Sequence, residues 1–408
     1  MQKALEMLSH LAQNDPHLHL YAVSGSPYAS PLDVQSTTFG EGRDRIDIVD
    51  SFRGRRPVLF NRDSLAARGA YPLQLLMTLI LDSHMASRLH DYRIGRDAAL
   101  PGRRAATEEF LVFASRYRVD YNPVFYMTES QAKSTPQDFI DYVAPVLTSI
   151  LYLHAMDEDH FLATRQMRLK PEAVDHYLNK YRGHTFEECG EIWVRRMMQD
   201  RATLNQLLYA KASYVCLLKL VLIHKRSRRS VVDKMEEFET FLASDLNCHM
   251  GRESHLACYY FSDLIQRLLP VQRSSNFANA RSRLWATAWD MWLLRLPELL
   301  LHPYEHPIMN LAYVCSAEQE LTQLGRFFAV EWMGVRSDTH TILGPMLSLD
   351  LSALESRLGS DAVRALVNRG QRPPRHHKRA LSESRDISER VESLAIRLES
   401  ELQDFLQG

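Results

Sequence analysis

The stretch from Met77 to Tyr92, MTLILDSHMASRLHDY, constrains this chain more than any other. From Met77 to Leu81 every residue is apolar except Thr78. A run this short and this apolar suits a strand buried on both faces of a sheet. It stops at Asp82, where the period changes. Met85, Leu89 and Tyr92 recur at helical spacing, so a helix follows almost at once. A carboxylate at the carboxyl end of a buried strand, facing a helix start, lies where open α/β sheets hold their ligands. Asp is also a good helix N-cap, its oxygen accepting a backbone N–H in the first turn. The two readings part on whether the rest of the chain supplies partners for Asp82.

At 408 residues the chain has room for two or three domains, and 45% apolar with 24% charged residues is ordinary for a soluble globular protein. The formal net charge of -1 excludes a general polyanion binder, so nucleic-acid contact would need local patches. The five cysteines form no C-x-x-C pair, which fits a reducing compartment. The start, MQKALEMLSHLAQNDPH, lacks the long apolar run of a signal peptide. The longest apolar run, Tyr214 to Ile223, is shorter than a membrane span and contains Lys219. A cytoplasmic protein with no membrane partner is expected.

The pattern divides the chain into five parts. Residues 1–72 read as a lead-in with a short helix over 1–14 and strands at Ile46–Val49 and Val58–Phe60. Residues 73–133 hold the strand–Asp82–helix unit, a loop at Pro101 and Gly102, a helix over Thr107–Tyr117, and a strand-like run, Val124–Met127, ending near Glu129. Residues 134–280 are helical nearly throughout, in segments 136–155, 171–181, 185–199, 201–224, 231–246 and 253–269. Residues 281–335 contain a tryptophan-rich helix over 281–300 and a buried strand, Leu311–Cys315. A further helix runs to Phe328, with Ser316 and Gln319 as a capping box. Residues 336–408 carry helix 351–369, a basic proline-containing linker over 370–380, and an amphipathic helix over 383–406. That last helix has one narrow apolar face, expected to pack loosely or engage a protein partner.

Nucleotide-binding and nucleophile-elbow motifs are absent. His302 and His306 sit among prolines. The spacing of Cys248, His249, His255 and Cys258 matches no common zinc site. The basic cluster His224–Arg229 is most simply a charge complement to a helix C-terminus, with phosphate contact as the alternative. Carboxylates at the ends of apolar runs are more informative: Asp82, Glu129 and Glu318 each follow one, and Asp290 lies at the edge of the tryptophan helix's apolar face. Each has a simpler reading alone. Glu129 and Glu318 suit first turns of helices, and Asp290 suits a pair with Arg295. Brought together they would repel unless a divalent cation neutralised them, and such oxygen ligands suit Mg²⁺ or Mn²⁺.

In this order the motifs resemble the PIN-like metal-dependent nuclease superfamily. The resemblance rests on Leu79-Ile80-Leu81-Asp82-Ser83, on Glu129 after PVFYMT, on Asp290 in ATAWDMWLLRL, and on Val314-Cys315-Ser316-Ala317-Glu318. It covers about 77–133 and 281–330. It implies an α/β fold with a mostly parallel sheet flanked by helices, and 134–280 as a large α-helical insertion. The implied activity is Mg²⁺- or Mn²⁺-dependent hydrolysis of RNA or single-stranded DNA, of a toxin or defence type. Asp82, Glu129, Asp290 and Glu318 would be catalytic, Asp82, Asp290 and Glu318 would bind metal, and Ser316 would hold Glu318 or a water. Glu318 departs from the family's Asp by one methylene, and Glu108, Glu109 and Glu253 compete with Glu129 for its place. The alternative is a non-enzymatic interaction scaffold whose strand-end acids are caps.

Overall fold

The computed structural model describes residues 10–23, 37–67, 71–199, 201–302, 308–339, 341–370 and 386–407. It is an α/β protein with two sheets. The larger sheet has the order β2 (Thr38–Phe39), β3 (Ile46–Val49), β7 (Ile308–Ser316), β5 (Gln74–Leu81) and β6 (Asp120–Asn122). Strand β5 runs parallel to both β7 and β6, while β3 is antiparallel to β2 and β7. The sheet is therefore mixed, not mostly parallel. The cause is local: β2 and β3 are joined by a short turn, with Gly40 at φ +67, and a connection this short forces antiparallel strands. The strands expected at 79–81 and 311–315 pair directly, with Leu81 opposite Cys315.

Both faces of this sheet are covered. Leu79, Leu81, Leu311, Tyr313 and Cys315 pack toward α1 (Ser83–Arg93), α2 (Pro101–Tyr117) and, beyond α3 (Val124–Lys133), toward α4 (Pro136–His154). On the other face, Ile80, Ala312 and Val314 join a core built from α8 (Arg201–Arg226), α9 (Val231–Thr240), α10 (Gly251–Phe261) and α11 (Phe277–Leu300). Helices α5 (Glu158–Thr164), α6 (Pro171–Tyr181) and α7 (Phe186–Gln199) lie between α4 and α8 in the chain. Residues 134–280 thus divide: Val194 and Met197 of α7 share the α1-side core with α4, whereas α8 to α10 build the opposite layer. Within α8, Gln206–Arg226 is long and apolar enough to cross a membrane, yet it forms the centre of that layer.

The second sheet, missed from sequence, is antiparallel throughout in the order β4 (Val58–Phe60), β1 (Leu18–Ala22), β8 (Ala329–Arg336) and β9 (Thr341–Ser348). Strand β9 lies in the part read as helices only. The lead-in strands at Ile46–Val49 and Val58–Phe60 form where expected, one in each sheet.

Four local expectations are corrected. Val124–Met127 is helical, within α3, and the strand is the shorter β6 before it. Asn122 Oδ1 accepts the Val124 N–H at 2.9 Å beside Pro123, which starts a helix, and burial of Phe125, Tyr126 and Met127 overrides their strand preference. The capping box does not form. Glu318 is the N-cap of α12 (Gln319–Gly325), and Ser316 Oγ instead accepts the Glu318 N–H at 2.9 Å. That helix stops at Gly325, where a Cβ would stand 2.4 Å from Val49 Cγ1, so only glycine lets it rest on β3. The third correction is the loop at Pro101, which is the first turn of α2.

The fourth concerns the C-terminus. After α13 (Leu351–Leu358) and α14 (Ser360–Gly370), linker residues 371–380 lie outside the described residues. The final helix, α15 (Ile387–Gln407), does not pack loosely: Val391, Leu398 and Leu402 are fully buried in the α8–α11 core. Ion pairs Lys211–Glu392 at 2.8 Å, Arg226–Glu401 at 2.6 Å and Arg281–Glu399 at 3.0 Å border the seam.

Candidate acidic site

Asp82 leaves β5 and caps α1. Its backbone N–H donates to Cys315 O at 3.2 Å, and its Oδ1 accepts the Met85 N–H at 2.6 Å. The cap is therefore real, but it uses one oxygen. Asp82 is only 3% exposed, and among the described residues no group meets hydrogen-bond geometry at its Oδ2, although the Ser316 hydroxyl lies close enough to favour the charged carboxylate. A buried carboxylate oxygen left unpaired is costly, and its direction follows from the strand. Alternation puts Asp82 on the face of Ile80, which packs on α11 and carries the side chain toward Asp290.

Glu129 reaches the same region by a different route. Phe125, one turn earlier on α3, meets Trp289 of α11 edge to face, ring centroids 6.1 Å apart. This contact sets Glu129 near Asp290, the neighbour of Trp289. Glu129 Oε1 pairs with Lys133 at 2.6 Å, and its Oε2 accepts the Ser83 hydroxyl. Glu318, at the end of β7, pairs through Oε1 with His84 Nε2 at 2.9 Å. Ser316 is fully buried between Asp82 and Asp47, its register partner on β3, and Asp47 is neutralised by Arg45 at 2.6 Å.

The electrostatics record how these groups converge. The half-buried Asp290 carboxyl is pushed well above the usual range, by burial first and then by Glu318, Glu129, Asp82 and Glu320. These four neighbouring charges are all negative. Asp82 is pushed up to about 6, chiefly by burial, with Glu318 adding to the effect and the nearby Ser316 hydroxyl and Met85 N–H opposing it. Glu318 is held below its usual value by His84, and His84 is raised in turn by Glu318.

The simpler readings fare unevenly. Arg295 is not the partner of Asp290, because it pairs with buried Glu253 at 2.8 Å. Glu253 is thereby removed as a candidate for the site. Glu108 faces Arg165 at 3.8 Å and Glu109 the Gly40 N–H at 3.4 Å. Sequence reasoning missed His84, Lys133 and Glu320. The contiguous triplet Asp82-Ser83-His84 was the available signal for the first. Of the cysteine–histidine group, His255 bonds the Phe327 carbonyl at 2.7 Å and Cys258 is buried beside Met235.

No described protein family, curated protein or solved structure matches this chain. What the site can hold follows from its own chemistry. Hard carboxylate oxygens, with one buried and unpaired, suit a divalent cation. Among the described residues, no three His, Cys, Asp or Glu side chains stand at ligand spacing as they are. In the present arrangement Glu318 is engaged by His84, and Glu129 by Ser83 and Lys133.

Proposed function

We propose that the protein is a metal-dependent nuclease hydrolysing RNA or single-stranded DNA, with a PIN-like arrangement around the parallel strands β6, β5 and β7. What supports this reading is half-buried Asp290, near which Glu318, Glu129, Asp82 and Glu320 are all acidic, together with the Oδ2 of buried Asp82, which meets no hydrogen-bond partner among the described residues. A structural role would have paired them with cations, as it does Glu253 and Glu298 elsewhere. Asp82, Asp290 and Glu318 would hold Mg²⁺ or Mn²⁺, which when bound activates water and stabilises the leaving oxygen. Glu129, fixed by the Ser83 hydroxyl, would orient the attacking water. Ser316 holds the backbone at Glu318 and so sets where that carboxylate starts. Lys133, which pairs with Glu129, is a cation able to meet a substrate phosphate. The fold alone does not decide this function.

The test is cleavage of single-stranded RNA and DNA with Mn²⁺ by the wild type, Asp290→Asn and Asp82→Asn. Metal-dependent cleavage lost in both variants supports the nuclease. A wild type that neither cleaves nor is stabilised by Mn²⁺ returns the acids to the scaffold reading, in which they cap and border helices.

A further inference from the structure

The all-carboxylate set does not explain His84. This residue is the second of α1, two positions after Asp82, and its side chain is 70% exposed. An exposed histidine gains little from an ion pair, yet Nε2 is directed at Glu318 Oε1. Its charge environment includes Asp82 and Glu129 as well, so it stands on the rim of the same acidic cluster. The two side chains come from the parallel strands' ends, β5 through α1 and β7, and both are accessible to solvent. Asp82, two residues before His84, is buried and close enough to both side chains to be influenced by their charges.

We infer that His84 is a ligand of the site, making it a mixed carboxylate–imidazole centre for a first-row transition ion and not a Mg²⁺ site. This rests on the metal-dependent reading above and deepens it. An ion seated between Glu318 Oε1 and His84 Nε2 replaces their mutual contact with two coordinate bonds. Asp82 and Asp290 supply the remaining protein oxygens. Imidazole nitrogen is a better donor to first-row transition ions, least so to Mn²⁺, than to Mg²⁺, so His84 selects between them, and Mn²⁺ is the most stringent member of the row to test. The neighbouring Ser83–Glu129 bond remains available to orient bound water.

The probes are Mn²⁺ and Mg²⁺ alone, added to the full chain without substrate. Electron paramagnetic resonance counts free Mn²⁺, and spin-echo modulation detects a directly bound ring nitrogen. The wild type is expected to hold Mn²⁺ at least about tenfold more tightly than Mg²⁺ and to show nitrogen modulation. His84→Ala, at an exposed position, should keep its fold by circular dichroism, lose the modulation, and bring the two ions to within about threefold. Glu318→Gln should weaken Mn²⁺ while retaining the modulation. Tight Mn²⁺ without nitrogen modulation, or an unchanged preference in His84→Ala, overturns the inference and leaves an all-oxygen site with the nuclease reading intact. No Mn²⁺ binding by the wild type overturns both.

Discussion

Asp82→Asn separates a cap from a charge in one substitution. Asn caps a helix about as well as Asp, so the bond from the Met85 N–H survives. What is removed is an ionisable group that burial and Glu318 hold at about 6 against an ordinary 3.8. A raised folded value means that the native state keeps a proton which the unfolded chain has released. Wild-type stability therefore falls as pH rises from about 4 to beyond 6, and at pH 8 the full difference applies. Two units of pKa correspond to about 3 kcal/mol, an upper bound because Asp82 shares its neighbours with Asp290. In a chain of this length that is about 3 °C of melting temperature if it unfolds as one unit. Urea denaturation in chelator at pH 4 and pH 8 measures it. Asp82→Asn should match the wild type at pH 4 and exceed it at pH 8, and saturating Mn²⁺ should close the gap by stabilising the wild type alone. A variant less stable at pH 8, or a gap equal at both pH values, would mean that the Asp82 charge is compensated, and the reasoning about the cluster fails with it.

Other perturbations test the frame that holds the site. Arg295→Ala strands Glu253 as a buried unpaired carboxylate and should cost about 3–5 kcal/mol in denaturant unfolding. Gly325→Ala drives a methyl group into Val49 on β3 and should cost about 1–3 kcal/mol, with Mn²⁺ binding weakened if Glu318 moves with its helix. Leu398→Ala empties a fully buried position under α15 and should cost about 2–5 kcal/mol, whereas a loosely held helix would lose under 0.5.

What could be read from the sequence was what neighbours in the chain determine. The β5–Asp82–α1 unit is such a case, because the change from strand run to helical period occurs within a few residues. The buried strand before Ser316 and the tryptophan helix were legible for the same reason. Glu129 was assigned to the wrong element, since the strand-like composition of Val124–Met127 is outweighed by its packing against α11. The second sheet was illegible because β1 finds β8 from the far end of the chain, and no local period announces that pairing. The docking of α15 and the contact of His84 with Glu318 are likewise long-range facts. They depend on which surfaces the fold brings face to face.

The pairing of β5 with β7 also sets an order of events. Thr78 donates to Asn310 at 2.9 Å inside the sheet, although the two are 232 positions apart in the chain. Closing so long a loop comes late, because its entropy must be met before the contacts it allows can form. As the chain leaves the ribosome, β5 and Asp82 emerge early, while Asp290 and the β7 strand are still unmade. Until Ile308–Ser316 arrives, the β5 edge that it covers is unpaired. The acidic cluster is then divided between finished and unfinished protein. On the proposed metal-dependent reading, a nascent or C-terminally truncated chain ending before residue 308 should be inert toward metal, and it should be prone to associate through that edge.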